Sequence, residues 1–454
     1  MKLFLIALLA VGARAACPGT YTAQRTITVN SSQITGTLSN YPMLVLNPSA
    51  SLKTVGNGGV VTDANGYDIT FYNAGGSLLP FELVGHGTGN TTYAAASGNA
   101  EFHVNVSSIA DGTVVYLCYG NAAITTYQGD DAGTWSSYVG VFHFPGGAVT
   151  DSTGVNSASN NGTTSTTGQI GTGIALSGTA QYVNVGNAAA VQLVGAMSVE
   201  AWVNTTNRTN FNGIVAKTTV SGEPASWDFW LAASTGVPAF IRGNGVSDTA
   251  VIASNPVPNA TWTYVAATDT SGAGTGTHYL DGAANGTAAL ITAAADAGDD
   301  VFIGTRTGFG TMFTGKMDEV RISSVSRSAD WITACFNNQS APGSFYAVGA
   351  ETSPSAGTFT ISPIALPVSN AADIVVSLTG SGTSWDGTTV ITATGVSGTS
   401  CGSVNVTSAT AATIICTTGA TSGTLTLTES VTGSAVATVP VSSGGGTHAF
   451  VSGG

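Results

Sequence analysis

The chain has 454 residues, of which only 8% are charged, and a formal net charge of −13 from 11 basic and 24 acidic residues. That balance offers no basic patch to release counterions, which argues against a nucleic-acid or anionic-membrane partner. Hydrophobic content of 43% is enough to build cores despite 60 glycines, which argues against a disordered chain. Abundant Thr, Ser, Val and Gly with few helix formers point to many short strands joined by tight turns. The length prior is roughly three domains.

Residues 1–15 read as a secretory signal: Lys2 is the positive start, Leu3 to Val11 the apolar core, and Ala13-Arg14-Ala15 the small-x-small cleavage site. The run is too short to span a bilayer, and no later segment reaches about 18 uninterrupted apolar residues. The mature chain is expected to begin near Ala16 and to be secreted or held at the cell surface, without membrane insertion.

A first domain is expected over residues 16–130. Its runs Arg25-Thr-Ile-Thr-Val29, Tyr67-Asp-Ile-Thr-Phe71 and Glu101-Phe-His-Val-Asn-Val106 alternate with period two. In the last, Phe102, Val104 and Val106 are expected to face a core while Glu101, His103 and Asn105 face outward. A second domain is expected over residues 136–351. It opens with Val139-Gly-Val-Phe-His-Phe144 and Asp151-Ser-Thr-Gly154, continues through Met197-Ser-Val-Glu-Ala-Trp-Val203 and His278-Tyr-Leu-Asp-Gly282, and ends in Phe313-Thr-Gly-Lys-Met-Asp-Glu-Val-Arg-Ile-Ser323. Ser328 is positioned to cap a short helix beginning near Ala329. The final run Phe345-Tyr-Ala-Val-Gly349 is expected to complete a sheet begun near Val139, since sandwiches protect their edges by pairing terminal strands. Residues 355–441 carry seven short apolar or alternating runs at the spacing of an immunoglobulin-like sandwich, and 442–454 read as a Gly-rich tail.

Five cysteines in an exported chain invite pairing and leave one over. Cys401 and Cys416 flank an expected hairpin and are the best pair. Cys17 with Cys118 is a weaker pair, tying the mature start to a domain's last strand. Cys335 is then unpaired or competes for one of those two.

Three resemblances follow from these motifs. The second domain resembles a laminin-G-like jelly roll, the concanavalin A-like lectin/glucanase sandwich. Asn65-Gly-Tyr-Asp-Ile-Thr-Phe71, Leu79-Pro-Phe-Glu82 and Val115-Tyr-Leu-Cys-Tyr-Gly-Asn121 resemble an uncharacterised bacterial and archaeal surface domain that sits upstream of such jelly rolls. Leu378-Thr-Gly-Ser-Gly-Thr-Ser-Trp385 resembles repeats of adhesin-like chains, with Trp385 read as core. The fold expected is all-β: three β-sandwich domains in series, the central one a concanavalin-like jelly roll.

Concanavalin-type folds also house glycosidases, which need two carboxyl groups about 5 to 9.5 Å apart. No Glu-x-Asp-x-x-Glu run is present, Glu200 is alone in its strand, and Asp318 and Glu319 are adjacent and so expected on opposite faces. Gly398-Thr-Ser-Cys-Gly402 matches a nucleophile elbow formally, with Glu429 and His448 following. It lacks the strand-to-helix context that motif requires. His143 is expected to pack at a strand edge.

Calcium is the cofactor the laminin-G resemblance implies, with Asp151 and Asp318 as candidate ligands. The competing reading makes Asp151 a turn former and has Asp318 pair with Arg321 or cap a strand. The acidic loop Asp296, Asp299 and Asp300 is read as solvated. For glycan binding, Trp227-Asp-Phe-Trp-Leu231 sets Asp228 and Trp230 on one face, able to stack and hydrogen-bond a sugar, unless Trp230 packs between sheets. The expected function is that of an exported non-catalytic carbohydrate-binding or adhesion protein whose partner is a glycan or extracellular surface. The alternatives are a structural spacer without ligand and a secreted polysaccharide hydrolase.

Overall fold

The computed structural model describes residues 17–207, 209–217, 226–271, 274–296, 298–306 and 311–354, and only the strands of the segment after residue 357. The expected signal, Trp385, His448 and residues 443–454 lie outside the described residues.

The central region is a sandwich of two large antiparallel sheets, as the alternating patterns require. One sheet runs in the order Asp248–Ile252, Pro238–Gly243, Trp227–Leu231, Asn212–Lys217, Val301–Ile303, Tyr182–Gly186, Ser159–Asn161. The other runs Ala283–Ala289, Thr275–Leu280, Thr263–Asp269, Met197–Thr205, Thr314–Ser323, Thr172–Ser177, Thr164–Thr167, with Tyr138–Phe142 also paired to Thr314–Ser323. Both sheets contribute to one core, in which Trp227, Phe229, Phe240 and Ile303 of the first join Val199, Val265, Met317 and Ile322 of the second. This is the concanavalin-like jelly roll that the motif order implied.

The first unit is built from a three-stranded sheet, Leu38–Leu46, Glu101–Ile109, Phe81–Leu83, and a four-stranded one. The fourth strand of the latter comes from the far side of the jelly roll. Tyr346–Val348 pairs with Ala23–Val29 in the register Ile27 to Val348 and Val29 to Tyr346. The expectation that this segment closes the sheet begun near Val139 is therefore corrected. Alternation specifies a strand and its faces but not its partner, and here the open edge of Ala23–Val29 supplies one.

The same region locks the two units together. The Ala329–Ser340 helix, capped by Ser328 through Trp331 N–H at 3.2 Å, carries Asn338 against the middle of a first-unit strand. The Asn338 amide accepts from Leu44 N–H at 2.7 Å and donates to Leu44 O at 3.0 Å, replacing a missing ladder neighbour. Trp202, Tyr264, Tyr279 and Trp331 belong to one hydrophobic cluster with Tyr41, Val104 and Phe345. Along Met197–Thr205, Val199, Ala201 and Val203 enter the sandwich core while Trp202 joins the shared cluster, so this strand is buried on both faces.

Both expected disulfides form: Cys401–Cys416 links opposed residues of neighbouring strands, and Cys17–Cys118 closes the first unit, while Cys335 is buried and unpaired. Such pairing fits an oxidising compartment. Among the described residues no helix is long and apolar enough to cross a membrane. Cys17 and Cys118 are 101 positions apart. On the chain-entropy model their bond stabilises by about 4 to 5 kcal/mol. A Cys17→Ser, Cys118→Ser double variant is expected to show that loss in denaturant melts, and an unchanged midpoint would refute it. After residue 357 the described residues form eight strands in two four-stranded sheets.

Candidate functional site

The outer face of the seven-stranded sheet carries the residues that the sequence marked for glycan contact. Because Trp227, Phe229 and Leu231 enter the core, Asp228 and Trp230 face away from it. Trp230 lies opposite Gly213 on one side and Ala239 on the other. Phe211, 41% exposed, meets the indole edge-on at 4.9 Å, and the Arg306 guanidinium lies 5.6 Å from its centroid. The same guanidinium pairs with Asp228 at 2.5 Å. Burial raises the Asp228 pKa to about 6 against the opposing pull of Arg306. Tyr182 and Phe302 extend this face, meeting edge-on at 5.7 Å, since Val183, Val301 and Ile303 point inward. Sequence reasoning missed Phe211, Arg306, Tyr182 and Phe302. Period two alone would have turned Tyr182 and Phe302 outward, whereas Arg306 and Phe211 come from connecting segments.

Asp151 and Asp318, the calcium candidates, share no hydrogen-bond partner. Asp151 accepts from Val141 N, Thr153 N and Oγ1, and Asn156 N and Nδ2, at 2.7 to 3.0 Å. Asp318 accepts from Ile170 N at 2.8 Å and Glu319 N at 2.9 Å, and burial keeps its pKa well above the usual range. In the acidic loop, Asp296 accepts from Gly298 N and Asp299 N, and Asp300 from Asn184. Ser400 and Cys401 begin a strand, Ser400–Ser408, so the formal nucleophile elbow has no strand-to-helix turn there.

A second constellation was not foreseen. Glu101, His103 and Asn105, expected to face outward, are at most 6% exposed, because the jelly roll covers that face of their strand. His143, expected at a strand edge, is buried between the units, where its Nδ1 meets Glu319 Oε1 at 2.5 Å and its Nε2 stands 3.4 Å from Glu82 Oε2. Glu319 reaches this position through a β-bulge. Its φ is +50°, and the pairing with Met197–Thr205 slips one residue between Glu200 and Trp202. Strict alternation fails at the bulge, so Asp318 and Glu319 are both buried rather than split between core and solvent.

Arg321 bonds Glu319 and lies 5.0 Å from the Trp135 ring centroid. Trp135 Nε1 donates to Glu82 at 2.5 Å, and Ser152 Oγ to the other Glu82 oxygen at 2.7 Å. Burial opposes charge throughout, yet His143 is held well above its usual pKa by Glu319 and Glu82. Glu319 is held low by His143 and Arg321. Glu101, which lacks such a cation, is pushed to about 8 by burial and by Glu319. Burial and the neighbouring His143 keep His103 well below its usual value. Glu101, His103, His143 and Glu319 each bring one donor atom within 4.8 Å of the others. A cleft of about 260 Å³ between the units reaches Glu82 and His143 and is otherwise lined by His86, Asp131, Asp151 and Ser152.

Residues 177–333 match the sequence profile of the concanavalin A-like lectin/glucanases superfamily. No curated protein sequence matches the chain. Among solved structures, the binding domain of Paraclostridial Mosquitocidal Protein 1 aligns at 11% identity and a TM-score of 0.39, over 44% of this chain and 52% of that one. The receptor binding domain of botulinum neurotoxin mosaic serotype C/D aligns at 15% identity and a TM-score of 0.36, over 45% and 51%. The alignments thus span about half the length of those two proteins. Domain 4 of AbnA, an extracellular arabinanase from Geobacillus stearothermophilus solved with arabinotriose, aligns at 18% identity and a TM-score of 0.34, over 43% of this chain and 97% of that one.

Proposed function

We propose that the protein is an exported, non-catalytic carbohydrate-binding module that holds a glycan across the outer face of the seven-stranded sheet. The observation that carries this reading is Trp230. The sandwich core is completed without it, yet it stands partly exposed beside Phe211 with the Asp228–Arg306 pair next to its ring. Sugars present apolar C–H faces that stack on aromatic rings and hydroxyls that pair with guanidinium groups; the Asp228 carboxylate, expected to meet the sugar itself, is fully buried and instead holds Arg306 in place. Tyr182 and Phe302 on the same face offer a second platform, which suits a chain of several sugar units.

A glycan array with the full chain identifies a ligand, and titration calorimetry then measures it. Trp230→Ala is expected to weaken binding by about 1 kcal/mol or more, roughly five- to tenfold, with the melting temperature little changed. Trp227→Ala, in the core, is expected to unfold the sandwich instead. An array without binders, or full affinity in Trp230→Ala, overturns the site. Release of reducing sugar from a bound polysaccharide would count against the non-catalytic reading.

A further inference from the structure

We propose that Glu101, His103, His143 and Glu319 hold one divalent transition-metal ion, of the zinc class, between the first unit and the jelly roll. Their polar atoms are short of partners. Neither ring nitrogen of His103 has a side-chain hydrogen-bond partner, and neither does Glu101 Oε1. All four residues are nearly or fully buried, the most exposed at 4%. Buried polar atoms are otherwise almost always paired, because an orphan forfeits its hydration without compensation. Several such atoms in one cluster call for a common partner that the polypeptide does not supply.

Around His103 the spacing is too long for hydrogen bonds and leaves room for an ion. His103 Nε2 stands 3.7 Å from Glu101 Oε1 and 3.9 Å from Glu319 Oε2, too far for a hydrogen bond. Two donors each about 2.0 to 2.2 Å from one zinc ion stand roughly 3 to 3.5 Å apart, so the His103 pairs close by a few tenths of an ångström and the whole set, now within 4.8 Å, by about an ångström. Two imidazoles with two carboxylates select a borderline transition ion over calcium or magnesium, which prefer oxygen alone. Two carboxylate charges also balance a divalent ion, as a buried centre requires.

An outer layer is already in place. Glu82 approaches His143 Nε2 and is itself fixed by Trp135 and Ser152, while Arg321 holds Glu319. Ligating histidines and carboxylates are commonly oriented by such neighbours. Glu101 and His103 share one face of a first-unit strand, and His143 and Glu319 belong to the jelly roll. The ion would therefore pin the two units, and the cleft that reaches His143 gives it an approach. This inference does not depend on the glycan reading, since its residues and its readouts are separate.

The test uses the full chain, stripped with chelator and then dialysed against zinc. Elemental analysis is expected to find about one zinc per chain, and the melting temperature to rise on reloading, because a ligand bound only to the folded state stabilises it. Glu101→Gln, which keeps the side-chain shape, and His103→Gln are expected to lose at least tenfold in retained zinc and most of the thermal response. Should His103→Gln fail to fold, Glu101→Gln decides. Retention of manganese in place of zinc supports the same site. A folded wild-type chain that retains neither metal and melts identically in zinc and in chelator overturns it, as does undiminished retention in Glu101→Gln.

Discussion

Arg321→Met is expected to destabilise the joined units by about 3 to 5 kcal/mol, the cost of removing one partner from a buried ion pair. Arg321 is 1% exposed, bonds Glu319 and lies over the Trp135 ring. Methionine keeps most of the volume, so the loss comes from the charge. Glu319 then loses its guanidinium and keeps His143, which it shares with Glu82, and a buried carboxylate with less compensation is costly. Denaturant melts with unchanged slope and a lowered midpoint check the effect. A loss below about 1 kcal/mol, the range of exposed pairs, would show that the network contributes little.

Residues 136–351 produced alone are expected to be insoluble or to melt far below the intact chain. Separation from the first unit uncovers Trp331 and Phe345, whose rings pack on Tyr41, and burying each such side chain is worth about 1.5 to 3 kcal/mol. The same cut leaves Tyr346–Val348 without its partner strand and exposes His143, Glu319 and Arg321. Residues 17–354 are expected to unfold in one calorimetric transition for both units. A soluble 136–351 fragment with a cooperative melt near that of residues 17–354 would show that the jelly roll stands by itself.

Much of the fold was legible from local pattern. Trp227-Asp-Phe-Trp-Leu231 declared its two faces through period two, and the structure turns Asp228 and Trp230 away from the core as that period requires. Ser328 was recognisable as a helix cap because capping chemistry lies within three residues of the helix start. Cys401 and Cys416 were recognisable because their strands form one hairpin. The same logic misjudged Glu101-Phe-His-Val-Asn-Val106. Alternation correctly separated its two faces, but it cannot tell water from a neighbouring sheet.

What the sequence by itself determined is therefore the all-β character, the inward and outward faces of single strands and the local caps. These depend on residues two to four positions apart, whose geometry the backbone dictates. Only the tertiary structure decided which strand Tyr346–Val348 would pair with, and that the polar face of Glu101–Ile109 would be covered. It also gathered His143 and Glu319, 176 positions apart, through a bulge that no spacing rule anticipates. Such contacts arise where two separately patterned surfaces meet. The free energy of that meeting belongs to the complementarity of the pair, which neither stretch of sequence carries alone.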